Sequence, residues 1–149
     1  MDIVIVSIYS YILGSIPFGL IITKVFLNKD IREVGSGNIG TTNVLRTGKK
    51  SLAVITLLLD ALKGFISILI SKIYFNDLVF LSGLICFLGH IFPIWLNFKG
   101  GKGVAVYLGI IAALSFPLAI VFGICWIVLA FIFKYSSVSS MIGALGVLL

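Results

Sequence analysis

Charged side chains are scarce in this sequence: only 11% of its 149 residues are Asp, Glu, Lys or Arg. Soluble domains carry about a quarter charged residues, whereas here 60% of the residues are hydrophobic and the mean hydropathy is +1.26. A soluble fold of this size could not cover so much apolar surface, because small domains leave much of their surface in water. The composition excludes an ordinary soluble domain and predicts a protein whose solvent is the lipid bilayer.

Cysteine and histidine are also rare. The two cysteines, Cys86 and Cys125, lie inside apolar runs without CxxC or Cys/His spacing, which favours packing roles over a disulfide or a metal site. The single histidine, His90, has no second ligand at metal-binding spacing. We therefore expect neither a metal ion nor a cofactor.

Acidic residues are fewer than basic ones, with five Asp or Glu against eleven Lys or Arg and a formal charge of +6. In a membrane protein this excess indicates cytoplasmic loops, anionic lipid or an anionic substrate. The basic residues form no tract interleaved with aromatic side chains, so no nucleic-acid partner is expected.

Long apolar runs, by contrast, are plentiful. A helix needs about 20 apolar residues to cross the hydrocarbon layer of a membrane. Four runs meet this length: residues 3–26, 51–74, 78–96 and 104–133. The first lacks the basic start and cleavage site of a signal peptide. A further apolar run begins at Met141 and continues to Leu149.

The longest run contains Ser115 and Pro117 near its middle, which could kink one helix or mark a turn between two. A turn would place Lys72 alone near one membrane face and nine basic residues on the other, with Lys63 inside a span. The nine are Lys24, Lys29, Arg32, Arg46, Lys49, Lys50, Lys99, Lys102 and Lys134. Because cytoplasmic loops collect Lys and Arg, this distribution favours the turn.

The predicted fold is therefore an all-α, polytopic membrane protein. We expect five complete transmembrane helices and the start of a sixth, an external N-terminus, and the polar loops on the cytoplasmic side. No internal repeat and no Pro-, Ser- or Gly-rich linker divides the sequence, so residues 1–149 are expected to form one domain.

The first internal loop, residues 30–46, is rich in glycine and in small polar side chains. Its glycines would let backbone amides turn inward, and successive inward amides form a concavity that binds anions. Arg46 follows about one turn into the next helix, with a planar guanidinium suited to phosphate. The candidate phosphate-binding residues are Gly35, Ser36, Gly37, Asn38, Gly40, Thr42, Asn43 and Arg46. The alternative is a plain polar turn between two helices.

The second internal loop, residues 97–103, leads directly into a predicted helix at Val104. Its lysines supply charge, and the helix N-terminus adds oriented amides that attract anions. The candidate residues are Gly100, Gly101, Lys102 and Gly103. The G-x-x-x-x-G-K-[ST] spacing of a nucleotide-binding P-loop is absent, which excludes that type of site. The alternative is a basic anchor that contacts lipid head groups.

A few polar residues lie elsewhere. Asp60 and Lys63 share a helix face in the second run and can pair, either for structure alone or in support of a substrate site. His90 is a packing residue or a substrate contact. Ser137 and Ser140 belong to a third polar patch, either a helix start or a wall of the substrate site. No His, Asp or Glu is placed in sequence to activate Ser36 as a nucleophile.

Two motifs carry a family resemblance. GSGNIGTTNVLR at residues 35–46 and GHIFPIWLNFKGGKGVAV at residues 89–106 resemble the bacterial acyl-phosphate glycerol-3-phosphate acyltransferases of the PlsY type. The shorter segments GSIPFG at 14–19, LLLDALKG at 57–64 and KYSSVSS at 134–140 also fit, and the similarity covers nearly the whole chain.

The resemblance implies an integral enzyme of the bacterial cytoplasmic membrane that transfers a fatty acyl group from acyl phosphate to the 1-hydroxyl of sn-glycerol 3-phosphate. It implies that Ser36 and Arg46 are required and that residues 100–103 bind glycerol phosphate. With Lys102, these form the expected catalytic set: Arg46 and Lys102 hold phosphate oxygens, and Ser36 hydrogen-bonds the substrate or leaving group. The expected partners are both substrates and membrane lipid, and we expect the protein to act as a monomer.

The chain also departs from the family pattern. The family continues through further spans and carries a third internal motif around H-R-E-N, whereas this chain stops at Leu149 inside an apolar run without that motif. Two alternatives to an active acyltransferase therefore stay open. One is a small transporter or channel for an anionic solute, which would place charge along several spans. The other is an inactive, truncated membrane scaffold.

Overall fold

The protein is helical throughout the described residues of the computed structural model, which are 1–133 and 136–148. Short loops and 3-10 turns join the α-helices, which confirms the predicted all-α class. The helices are α1 (Asp2–Ser15), α2 (Phe18–Leu27), α3 (Thr41–Leu45), α4 (Lys50–Tyr74), α5 (Val79–Ile91), α6 (Val104–Leu114), α7 (Phe116–Phe133) and α8 (Ser136–Leu148).

Four helical stretches within the described residues are long and apolar enough to cross a membrane. They are Asp2–Leu27, Lys50–Tyr74, Asn76–Leu96 and Phe116–Phe133. Large apolar side chains on these stretches lie on the outer surface, as expected of residues that face lipid; Phe80 and Phe131 are each 81% exposed. Helix α6 has only 11 residues and is about 16 Å long, roughly half the hydrocarbon thickness. Five complete spans were predicted; four helical stretches of the described residues have that length, and the predicted span that begins at Val104 is the shorter helix α6.

The first predicted span is interrupted near its middle. Helix α1 ends at Ser15 and α2 begins at Phe18, because Pro17 has no N–H to continue the helical ladder. The break exposes the carbonyl of Ile16, which accepts a hydrogen bond from Lys63 Nζ at 2.7 Å. A polar group that lipid could not solvate is thereby satisfied by a side chain from α4.

The long run 104–133 is divided by a turn, as the charge distribution favoured. Ser115 has an extended backbone between α6 and α7, and Pro117 lies in the first turn of α7, where a missing N–H does no harm. The two helices then pack against each other, with the rings of Tyr107 and Phe122 edge to face and their centroids 5.1 Å apart. The run is a helical hairpin rather than a single kinked helix.

Glycines set the distances between the main helices. A Cβ added to Gly14 in α1 would collide with the backbone of Cys86 in α5, and one added to Gly109 in α6 would collide with the backbone of Ala61 in α4. Helices in membranes associate through such close backbone contacts because apolar burial drives them together only weakly.

We expect Gly109→Ala to lower the thermal unfolding midpoint in detergent, because α4 and α6 must separate to admit the methyl group. Overpacking of this kind costs about 1–3 kcal/mol. Gly123→Ala in α7 is the matched control, since a Cβ there meets nothing within 4 Å, and we expect it to be neutral or slightly stabilising. Equal midpoints for the two variants would show that the contact between α4 and α6 is not this tight.

A buried cluster of hydroxyl groups joins α1, α4 and α5. Ser82 Oγ lies 2.9 Å from Ser10 Oγ and 2.8 Å from Ser67 Oγ. Tyr9 extends the cluster through its hydroxyl, which contacts both Ser82 and Ser71. Hydrogen bonds between helices hold membrane proteins together where water cannot compete, so this cluster fixes the end of the bundle remote from the two polar loops.

Candidate active site

Asn43 organises the first internal loop. Its side-chain amide donates to the backbone carbonyls of Ile31, Val34 and Asn38 at 2.8–3.0 Å, and its Oδ1 accepts from the Ser36 N–H at 3.0 Å. The residue is only 2% exposed. One buried side chain at the start of α3 therefore holds the loop in a single shape.

Arg46 lies across the glycine that opens the motif. Gly35 has a φ of +55°, and a Cβ there would sit 2.8 Å from Arg46 Cδ and 2.6 Å from Asn43 Oδ1. One guanidinium nitrogen, Nη1, is 3.5 Å from Asn43 Oδ1, and no acidic residue in the described part of the chain pairs with Arg46. The side chain is thus placed by the loop while most of its donors stay free.

Backbone amides of this loop that were expected to bind an anion form hydrogen bonds within the loop instead. The N–H of Gly37 donates to the carbonyl of Val34 at 3.0 Å, and the N–H of Gly40 donates to Asn38 Oδ1 at 2.9 Å. With the Ser36 N–H bound to Asn43, three of the expected inward amides are used within the loop itself. Asparagine side chains readily capture nearby backbone donors in this way.

The second loop folds back onto the end of α5. The N–H groups of Gly100 and Gly101 donate to the carbonyls of Ile91 and His90 at 2.9 and 3.0 Å. They cap a helix end whose carbonyls would otherwise lack partners. These two amides are therefore not available to bind an anion. A Cβ at Gly101 would collide with the His90 imidazole, so this glycine is needed for close approach to that ring.

The anion-attracting part of the second loop is its final turn into α6. Gly103 adopts a φ of +81° as the residue before the helix, and the next amides, of Val104 and Ala105, have no carbonyl partner within a helix that starts there. Lys102 is exposed at the same point. The amides, the positive end of the helix dipole and Lys102 thus lie together at this turn, an arrangement that attracts anions.

The two loops enclose a cavity of about 250 Å³. Asn38 links them through a long hydrogen bond of 3.5 Å from its Nδ2 to the carbonyl of Gly100. The predicted site residues that line the cavity are Ser36, Asn38, Gly40, Thr42, Asn43, Arg46, His90, Lys102 and Gly103. Asp60 also lines it but is paired with Lys63. Arg46 and Lys102 therefore leave the cavity with a positive charge suited to a phosphate group.

The remaining predicted residues lie outside this cavity. Gly35, Gly37, Gly100 and Gly101 support its walls without lining them. Ser140 lines a neighbouring apolar cavity. The side chain of Ser137 lies outside the described residues, as do Lys134 and Tyr135.

The geometry agrees with the comparison to protein families: residues 4–149 match the family described as glycerol-3-phosphate acyltransferase. The chain belongs to this family. The Pelagibacter ubique glycerol-3-phosphate acyltransferase is 56% identical over 147 residues, which are 99% of this chain and 77% of the relative. The Mesorhizobium japonicum enzyme is 52% identical over 137 residues, which are 92% of this chain and 70% of that relative.

Solved structures show the same fold. The crystal structure of PlsY, an integral membrane glycerol 3-phosphate acyltransferase, in its glycerol 3-phosphate form has a TM-score of 0.91 at 38% identity. The structural match covers 99% of this chain and 74% of the PlsY chain. The lysophosphatidic acid form has a TM-score of 0.89 at 37% identity. The chain is accordingly a PlsY-type acyltransferase of phospholipid synthesis and a multi-pass membrane protein.

The sequence-based prediction left Thr41 out of the site and did not include the contact of Lys63 with His90. Thr41 Oγ1 lines the acyltransferase cavity, is buried and has no partner among the described residues. Asp60 and Lys63 form the predicted ion pair at 2.9 Å, but Lys63 Nζ also lies 2.9 Å from His90 Nδ1. The charged residues inside a predicted span were the signal for the ion pair. Sequence spacing gave no signal for the contact of Lys63 in α4 with His90 in α5.

A second, apolar cavity of about 440 Å³ adjoins the first. The two share Lys102, Gly103, Val104 and Phe122 in their linings. Most of its other walls are apolar side chains, including Phe80, Leu84, Phe87, Leu114 and Met141. The acyltransferase thus has a basic, polar cavity beside an apolar one, with Lys102 at their boundary.

Arg32, in the same loop as Arg46, is held away from this site. Its Nη2 and Nε donate to the Asp30 carboxylate at 2.6 and 2.9 Å, and its backbone N–H donates to Oδ1 of the same carboxylate. The hydrogen bond from Arg32 holds the pKa of Asp30 well below its usual value, and the carboxylate in turn raises the pKa of Arg32. This pair stabilises the loop entry, whereas Arg46 has no acidic partner in the part of the chain that the structure describes.

Proposed function

We propose that this acyltransferase uses acyl phosphate as the donor and the 1-hydroxyl of sn-glycerol 3-phosphate as the acceptor, giving lysophosphatidic acid and inorganic phosphate. The observation that carries the proposal is a cavity lined by two cations, Arg46 and Lys102, that form no ion pair within the described residues, beside an adjoining apolar cavity. A phosphate monoester carries a charge of about −1.5 to −2 at pH 7, which matches those two cations. Relatives crystallised with glycerol 3-phosphate and with lysophosphatidic acid support the same chemistry.

The reaction needs positioning more than covalent help from the protein. Acyl phosphate already has a good leaving group, so the acceptor hydroxyl oxygen can attack the acyl carbon while the bond from that carbon to the phosphate oxygen breaks. The phosphate leaves with the bonding electrons, and a substrate phosphate oxygen accepts the hydroxyl proton. Holding the two reactants together and stabilising the developing charge supply the rate enhancement.

Three side chains take the catalytic roles in this proposal. Arg46 and Lys102 hold phosphate oxygens of the two substrates, helped by the first amides of α6. Ser36 donates a hydrogen bond from its exposed hydroxyl to the substrate or leaving group. In the described residues no His, Asp or Glu side chain hydrogen-bonds Ser36, which supports a hydrogen-bonding role over that of a nucleophile.

The acyl chain would lie in the apolar cavity. Its position beside Lys102 lets the phosphate head reach the basic cavity while the chain stays among apolar side chains. Each CH₂ buried there contributes about 0.8 kcal/mol, so chain length would affect binding of the donor far more than binding of the acceptor.

The topology completes the proposal. We infer that residues 1–149 form one domain acting as a monomer in the bacterial cytoplasmic membrane, with α6 as a short fourth crossing, α7 as the fifth and α8 as the start of a sixth. The hydrogen bond between Asn38 and Gly100 brings both basic loops to one face, which the distribution of Lys and Arg assigns to the cytoplasm. The N-terminus would then be external.

The deciding experiment measures lysophosphatidic acid formed by the purified protein from acyl phosphate and labelled glycerol 3-phosphate. We expect product with acyl phosphate and none when acyl-CoA replaces it. Product that does not require acyl phosphate would overturn the donor assignment. Uptake of labelled glycerol 3-phosphate into vesicles without product would instead indicate a transporter, and neither product nor uptake would indicate a scaffold.

A further inference from the structure

A buried polar cluster lies beside the cavity, where α4 meets α5. Asp60, Lys63 and His90 are only 2%, 3% and 4% exposed. Lys63 Nζ lies 2.9 Å from Asp60 Oδ1, 2.9 Å from His90 Nδ1 and 2.7 Å from the carbonyl of Ile16. Three such groups are costly inside a membrane, so a role beyond simple packing is expected of them.

The surroundings of Lys63 favour the ammonium form. A carboxylate and a carbonyl oxygen can only accept, and an ammonium group has three donors and no acceptor. The ring of Phe18, whose centroid is 5.6 Å from Nζ, also favours a cation. The third neighbour of Nζ, His90 Nδ1, must then accept a hydrogen bond and cannot carry a proton.

The position of Asp60 points the same way. Its Oδ1 is 3.8 Å from His90 Nδ1, which is too far to accept a hydrogen bond from that nitrogen. An N–H at Nδ1 would therefore face the ammonium with no acceptor in reach. In a neutral imidazole one nitrogen is bare and the other protonated, so the proton belongs on Nε2.

The Nε2 side of the ring faces the second loop. A Cβ at Gly101 would collide with Nε2, and His90 lines the basic cavity. Nε2 has no hydrogen-bond partner in the part of the chain that the structure describes. A protonated Nε2 is a donor and complements the anionic oxygen of a phosphate or of a polarised carbonyl.

We propose that Lys63, itself held by Asp60 and the Ile16 carbonyl, is a positioning residue that keeps His90 in its Nε2–H form as a hydrogen-bond donor to an anionic substrate oxygen. The inference rests on the proposed function for the identity of that oxygen. In this arrangement His90 does not act as the base that removes the hydroxyl proton, because the nitrogen near the cavity already carries one.

The test exploits the single histidine of the sequence. Protein purified without a histidine tag and labelled with ¹⁵N-histidine gives one pair of ring nitrogens, whose NMR shifts distinguish a bare nitrogen from a protonated one. We expect a bare Nδ1 and a protonated Nε2 in the wild-type protein. In Lys63→Met the preference is lost and the two tautomers mix.

Lys72→Met is the matched control. Lys72 lies in the same helix, but its Nζ donates to the carbonyl of Ala113 at 2.6 Å, away from His90. We expect its ring-nitrogen shifts to equal those of the wild type. A protonated Nδ1 in the wild-type protein, or unchanged shifts in folded Lys63→Met, would overturn the proposal. If Lys63→Met does not fold, the wild-type spectrum alone decides.

Activity shows whether Lys63 acts through His90. We expect His90→Phe to lower kcat about tenfold, Lys63→Met to lower it by a similar factor, and the double variant to be no worse than His90→Phe alone. If the loss of kcat in the double variant equalled the product of the two single losses, Lys63 would not act through His90. Because the NMR result does not depend on turnover, a wild-type protein with the expected tautomer but no product would contradict the proposed function and not this inference.

Discussion

Replacing Arg46 with alanine is expected to lower kcat/KM for acyl transfer by about 10²- to 10³-fold, the usual loss when one preorganised donor to a developing charge is removed. The effect should be large because Arg46 lines the cavity and is placed across Gly35 by the loop, with no acidic partner among the residues the structure describes. Steady-state kinetics in detergent, varying each substrate in turn, measures it. Lysine at this position should restore activity only in part, since it lacks the planar fork.

Arg32→Ala is the control for this experiment. It removes the same side chain from the same loop, but from a residue whose guanidinium is bound to Asp30 outside the cavity. We expect kcat/KM to stay within about threefold of wild type, with any loss appearing as lower thermal stability, since partly exposed ion pairs contribute up to about 1 kcal/mol. Equal losses in the two variants would refute a specific role for Arg46.

The second large effect is expected for Asn43→Asp. The carboxylate keeps an acceptor for the Ser36 N–H but loses the amide that donates to three backbone carbonyls. A negative charge buried among carbonyl oxygens is strongly unfavourable, and each lost hydrogen bond costs about 0.5–1.5 kcal/mol. The loop should therefore open and displace Ser36 and Arg46, lowering activity by at least about 10²-fold with a clear drop in the unfolding midpoint.

Asn28→Asp makes the same chemical change at an exposed position at the end of α2. It should leave activity and stability close to wild type. Limited proteolysis of the loop gives an independent readout, because an opened loop is cut faster while an intact one is not. An Asn43→Asp protein that retains wild-type kinetics would show that the hydrogen-bond network does not hold the site.

The two internal loops show how much of the site was readable in advance. Glycine, asparagine and basic residues marked both segments, and Arg46, Lys102 and Ser36, predicted from residue type, context and the family resemblance, all line one cavity. The direction of the backbone amides was not predictable. In the structure the N–H groups of Gly40 and Gly100 bond within the protein, because a donor takes whichever acceptor the fold places nearest.

The sequence by itself determined the environment and the general architecture of this protein. Hydropathy and charge are sums over local residues, so they were sufficient for a helical membrane protein, for the turn near Ser115 and for two basic loops on one face. The tertiary structure alone decided what depends on distant segments meeting: the tight contact of α4 with α6 and the apolar cavity that adjoins the basic one. It also decided the contact of Lys63 with His90, which are 27 residues apart in sequence. The physical reason is that hydrogen bonds and ion pairs act over about 3 Å in space, whatever the separation along the chain.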